Sequence, residues 1–106
     1  MKMNQIDTEY TLLKILKDNP EMTQRQLSKE LGLSLGKTNY VLHALMDKGL
    51  MKLSNFTTSN KKLGYLYLIT PKGIEEKSIL AKNFLERKSA LYSKLKEEIE
   101  TLKNEL

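Results

Sequence analysis

Residues 23–50 read TQRQLSKELGLSLGKTNYVLHALMDKGL. Thr23 and Gln26 stand at the spacing of a capping box, in which the hydroxyl accepts from the Gln26 amide while the glutamine side chain reaches back to the Thr23 amide. Met22 before the cap and Leu27 after it have the spacing of a hydrophobic staple. A helix therefore starts here and runs to Leu31, where Gly32 supplies the left-handed residue that ends it. Ser34 caps a second helix, which Gly49 ends after Lys48. Within this helix Thr38, Val41, Leu42 and Leu45 fall on one face, whereas Leu35, Gly36, Lys37, Asn39, Tyr40 and His43 fall elsewhere. The outward set carries few of the Glu–Lys pairs that solvated helices favour. It offers a small residue, a lysine, an amide and a phenol instead.

Helix, glycine turn and helix within 28 residues is the spacing of a helix-turn-helix. Upstream, Asp7 or Thr8 is expected to cap a helix whose apolar positions Ile6, Tyr10, Leu13 and Leu16 recur at helical spacing. Leu12 and Ile15 broaden that stripe, so more than one side is expected to be covered. Asn19-Pro20 stops this helix, because proline removes a donor and disfavours helix in the residue before it. Downstream, Leu50–Phe56 and Tyr65–Ile69 read as two strands. The polar segment 57–62 between them turns a hairpin with a basic tip, and Gly64 permits a bulge. Thr70 as cap and Pro71 at the first helical position open a final helix, in which Gly73 is a mild local cost.

The chain has 106 residues and a net charge of +5, from 18 Lys and Arg against 13 Asp and Glu. Residues 22–72 hold eight of the basic side chains (Arg25, Lys29, Lys37, Lys48, Lys52, Lys61, Lys62, Lys72) and two acids, Glu30 and Asp47. A positive field confined to one module favours a polyanionic partner. There is no cysteine, so disulfides and thiolate metal sites are excluded. One histidine and no cysteine leave no nucleophile–base pair for an enzyme. Glu75-Glu76 and Glu97-Glu98 are neighbours on a helix and splay apart. No metal ligands stand at the required spacing, and no cofactor is expected. The N-terminus MKMNQIDTEY lacks the apolar core of a signal peptide, and no apolar run is long enough to span a membrane; a cytoplasmic protein is expected.

The last third follows another rule. With Leu85, Tyr92, Ile99 and Leu106 at heptad position a, Ala81, Lys88, Leu95 and Leu102 fall on d. Lys88 interrupts the seam, which is strongest after Tyr92. Glu98 and Glu105 land on g, Lys96 and Lys103 on e, so a parallel pair sets Glu98 against Lys103 of a second copy. Such a pair is worth about 0.5 kcal/mol, a tilt in orientation and no more. Ile74, Ile79, Leu80, Phe84 and Leu91 are expected to pack against the preceding module. The expected division is a DNA-binding module over 1–72 and a dimerising coiled coil over 73–106. Fold class is mainly α with a small hairpin.

Leu31-Gly32-Leu33-Ser34, Leu45-Met46-Asp47-Lys48-Gly49-Leu50 and Leu68-Ile69-Thr70-Pro71-Lys72-Gly73 stand in the order and spacing that recur in the MarR family of bacterial transcriptional regulators. The resemblance covers about residues 8–76. The short length and single C-terminal helix look most like the small members associated with exopolysaccharide gene clusters. Ser28 and Thr38 depart from the usual alanine and valine or isoleucine, and Lys61-Lys62-Leu63 from the usual Asp-x-Arg of the wing.

The resemblance implies a winged helix that binds double-stranded DNA as a homodimer, with the third helix in the major groove, where all four base pairs are distinguishable. On this chain Leu35, Gly36, Lys37, Asn39 and Tyr40 would face bases: Asn39 an adenine, Lys37 a guanine or a phosphate, Leu35 a thymine methyl. His43 either meets a phosphate or is a half-buried neutral side chain. Thr23 and Ser34 open helices whose free amides suit phosphates. Arg25 and Lys29, with Asn60, Lys61 and Lys62 at the wing tip, would hold the backbone. The pairing seam would use Leu85, Tyr92, Leu95, Ile99, Leu102 and Leu106. A small-molecule effector is not implied, because the chain begins almost at the module. Two other readings remain: a winged-helix module that binds protein, and a plasmid or phage replication or partition factor.

Overall fold

Leucine makes most of the core. Leu12, Leu13, Leu16, Leu27, Val41, Leu42, Leu45, Leu50, Met51 and Leu80 form one buried cluster, with Tyr10, Ile15, Met22, Leu31, Met46, Tyr67 and Ile69 half-buried around it. The computed structural model describes residues 4–57 and 63–106. In chain order the elements are α1 (Gln5–Asp18), α2 (Gln24–Leu31), α3 (Leu35–Asp47), β1 (Met51–Thr57), β2 (Leu63–Ile69) and α4 (Pro71–Asn104).

α1 starts earlier than its sequence suggests. Asn4 is the cap, its side chain accepting from the Asp7 amide at 2.8 Å. Asp7 instead lies in the first turn, and Thr8 is buried with its hydroxyl donating to the Asn4 carbonyl. Ile6 is exposed, so the covered face is Leu12, Leu13 and Leu16, with Glu9. Glu9 is buried and ion-paired at 2.7 Å to Lys48, the residue that closes α3. A buried carboxylate without such a partner would be costly, so this pair ties the two helices in one relative position.

The capping box at α2 forms in both directions, Gln26 amide to Thr23 hydroxyl at 3.1 Å and Thr23 amide to Gln26 at 2.8 Å. α2 and α3 end in the same way. Gly32 and Gly49 adopt φ of 66° and 73°, and the next residues, Leu33 and Leu50, donate back to Ser28 and Leu45 at 3.0 Å. That is a Schellman closure, which needs a residue free to take positive φ. Ser28 and Thr38 are buried, each hydroxyl donating to the carbonyl four residues earlier, Gln24 and Ser34. Self-satisfied hydroxyls let polar residues stand in a tightly packed core.

β1 and β2 pair antiparallel from Met51↔Ile69 to Thr57↔Leu63 in one unbroken register. Each strand is longer than its sequence suggests at the turn end, and the ladder passes Gly64 opposite Phe56 without the expected bulge. On its outer edge β2 donates from Tyr67 to the Pro20 carbonyl at 2.9 Å, joining the hairpin to the loop before α2.

α4 starts as expected, with Thr70 as cap and Pro71 in the first turn. Gly73, however, is no local cost. A Cβ there would lie 2.1 Å from the Leu50 carbonyl oxygen and 3.1 Å from an Ile69 methyl. Around it Thr70 donates from its hydroxyl to Gly49 at 2.7 Å and from its amide to Leu50 at 3.1 Å, and the Lys72 ammonium donates to the Lys48 carbonyl at 3.1 Å. The KGL and TPKG segments are thus two halves of one joint that fixes α4 to the end of α3.

Further along, Leu80 completes the core, Phe84 packs on Tyr10 with ring centres 5.4 Å apart, and Arg87 pairs with Asp7. Ile74, Ile79 and Leu91, expected to pack inward, are half exposed. From Leu85 to Leu106 every residue is exposed. The radius of gyration is 17.9 Å, against about 13 Å for a compact chain of this length, and the projecting end of α4 makes the difference.

Candidate nucleic-acid interface

α3 has two faces of opposite character. Thr38, Val41, Leu42 and Leu45 are buried, whereas Leu35, Gly36, Lys37, Asn39, Tyr40 and His43 are all exposed. The outward residues form two adjacent rows at i, i+4 spacing, Leu35–Asn39–His43 and Gly36–Tyr40, which share one helix surface. His43 is therefore on that surface and not half-buried. The Lys37 ammonium lies 5.5 Å from the Tyr40 ring centre, a cation–π distance that directs the lysine along the helix. Ser34 accepts from the Lys37 amide at 3.0 Å, and the amides of Leu35 and Gly36 in the first turn have no acceptor within the helix.

α2 flanks this surface. Arg25 and Lys29 are exposed one turn apart. Gln24, which no sequence motif singles out, accepts from Asn39 at 3.0 Å and donates to the Leu35 carbonyl at 3.1 Å. A polar pair separated by 15 positions leaves no periodic trace in a sequence. Gln24 and the Asn39–His43 row border a groove of about 200 Å³ whose far wall is Leu53, Tyr65 and Tyr67 of the hairpin. Leu53 and Tyr67 are cross-strand partners, and Tyr65 lies two residues along on the same face. Burial first, and the neighbouring Tyr65 second, holds the Tyr67 phenol above its usual range. Leu53 and Tyr65 stay 45% and 60% exposed, so the hairpin shows an apolar and aromatic wall beside α3.

Of the six described basic residues in the charged middle, two work within the fold: Lys48 on Glu9 and Lys72 on the Lys48 carbonyl. Arg25, Lys29, Lys37 and Lys52 are exposed. Asn60, Lys61 and Lys62 lie outside the described residues.

Residues 7–51 match the family model for winged helix-turn-helix DNA-binding. The hairpin that follows them and the helix that leaves it complete the arrangement. The fold is a winged helix-turn-helix. Solved structures agree. A PadR-like transcriptional regulator from Bacillus cereus superposes with a TM-score of 0.72 at 20% identity, covering 82% of this chain and 89% of that one. A transcriptional regulator homologue from Pyrococcus horikoshii gives 0.61 at 19% identity over 80% and 83%. Staphylococcus aureus MepR, in a complex with DNA, gives 0.64 at 19% identity over 88% of this winged helix and 63% of MepR. No curated protein matches the sequence. At these identities the shared property is the fold. Among the described residues, no helix of the winged helix is long and apolar enough to cross a membrane.

Proposed function

We propose that this winged helix is a sequence-specific, DNA-binding transcriptional regulator of the MarR type, acting as a homodimer on a palindromic site. The observation that carries the reading is the two-faced α3, locked by its buried side while six contiguous surface residues stand open. In the proposed complex α3 lies in the major groove. Asn39 and Lys37 meet base edges, and Leu35 meets a thymine methyl. Gly36 lets the helix backbone approach closely. Tyr40 and His43 extend the contact toward the hairpin groove. Arg25 and Lys29 on α2, and Asn60, Lys61 and Lys62 on the wing, hold phosphates; such contacts set register and affinity, not sequence. Two solved structures with this fold, MepR and Lactococcus lactis ZitR, are complexes with DNA, which supports the reading.

The test is a mobility-shift titration on one duplex at two salt concentrations, with wild type and an Arg25→Ala/Lys29→Ala variant. Wild-type affinity is expected to fall steeply with salt. The variant, lacking two phosphate contacts, should bind every sequence more weakly and lower the log–log salt slope by about 2. Binding that ignores salt would contradict the proposal and favour a module that binds protein.

A further inference from the structure

We infer that Gln24 is a positioning residue for base recognition: it fixes which edge of the Asn39 amide is offered to DNA. The inference rests on the DNA-binding reading above. A carboxamide is nearly symmetric in shape but not in chemistry, since one end accepts and the other donates. A free asparagine on a helix surface can turn over and offer either pattern to a base. Here the choice is made by a chain of two hydrogen bonds that starts at a group with no choice.

The Leu35 carbonyl can only accept. The part of Gln24 that faces it, at 3.1 Å, must therefore be the NH2 group. That turns Gln24 Oε1 toward Asn39, at 3.0 Å, and Oε1 can only accept, so Asn39 must present its own NH2 there. Asn39 Oδ1 and the second hydrogen of Nδ2 are left for an outside partner. An acceptor beside a donor is the complement of the N6 and N7 edge of adenine in the major groove. The anchor is independent of Asn39, because Leu35 begins α3 and Gln24 begins α2, which Thr23 and Gln26 cap on their own. Gln24 reaches across the helix-turn-helix and sets the amide before DNA arrives, and preorganisation of this kind removes the cost of ordering the side chain on binding.

The experiment compares wild type, Gln24→Met, Asn39→Ala and the double variant. Each is measured by competition against four duplexes that carry each base pair in turn at the position most sensitive to Asn39→Ala. That position is found by comparing the sequences that wild type and Asn39→Ala each select from a random library. Methionine matches glutamine in length, favours helix and makes neither hydrogen bond. Thermal melts check that each variant is folded. Gln24→Met is expected to lower the preference for adenine at that position by roughly tenfold, within the range that one bidentate contact provides. In the double variant the two effects should not add, because both remove one device. If Gln24→Met keeps the wild-type preference while Asn39→Ala loses it, Gln24 is only a bolt between helices, and the inference falls while the DNA reading stands. If wild type selects no sequence at all, both fall.

Discussion

Gly73 is the third residue of α4, where sequence reasoning alone sees a poor helix former. Its packing reverses that judgement, since a Cβ at this place would sit 2.1 Å from a backbone oxygen that cannot retreat without moving the Leu45–Leu50 closure. Gly73→Ala gains about 1 kcal/mol in helix propensity but forces the joint apart, at a cost of about 3 kcal/mol or more, the upper range for overpacking. The net expectation is destabilisation by about 2 kcal/mol, a fall in melting temperature of roughly 10 °C. Circular dichroism melts of the two proteins measure it, and an unchanged or higher melting temperature would refute this account of the joint. Residues like this mark what the sequence could not convey. Caps and left-handed closures are local rules and were legible at Thr23, Gly32, Ser34, Gly49 and Thr70. Gly73 is constrained by Leu50, and Asn39 by Gln24, and both constraints act across distance in the chain. At the start of α1 the local rule points to the wrong residue: Asn4, three residues before Asp7, is the cap, and Asp7 donates its amide to it.

At the scale of elements, α2 and α3 were legible to within a residue, because capping residues and apolar periodicity agree there. The hairpin was legible as a hairpin but not in extent, since its turn end lacks the apolar alternation that announces a strand. α4 is the element whose two halves behave differently. Up to Phe84 it is packed, and Arg87 and Lys88 close over Phe84, the lysine ammonium 5.1 Å from its ring centre. Beyond that, Leu85, Tyr92, Leu95, Ile99, Leu102 and Leu106 are 44% exposed or more in the single chain. Each such side chain gains about 1.5–3 kcal/mol on full burial, which is the argument for a second copy along this seam. Leu95→Lys with Leu102→Lys leaves the core untouched and should turn a dimer into a monomer. Sedimentation equilibrium at micromolar concentration checks this: wild type is expected at twice the chain mass of 12.3 kDa, and the variant at the chain mass. A wild-type monomer would contradict the proposed pairing.

At the scale of the molecule, the joint at Gly49–Leu50 and Thr70–Gly73 has a consequence for the proposed function. It fixes α4 to the end of α3, so in the proposed homodimer the separation of two α3 surfaces is set by how α4 pairs. The field of the charged middle is smaller than its residue count, because the Glu9 carboxylate offsets Lys48. Arg25 and Lys29 on α2 and Lys37 on α3 remain exposed. In the proposed complex two copies of α3, held by paired α4 helices, read DNA together. The most direct measurement is selection of bound duplexes from a random library by the full chain, followed by sequencing. The expected result is an enriched inverted repeat whose half-sites are centred about 34 Å apart, one turn of DNA. An enriched single half-site with no partner, or no enrichment at all, would contradict it.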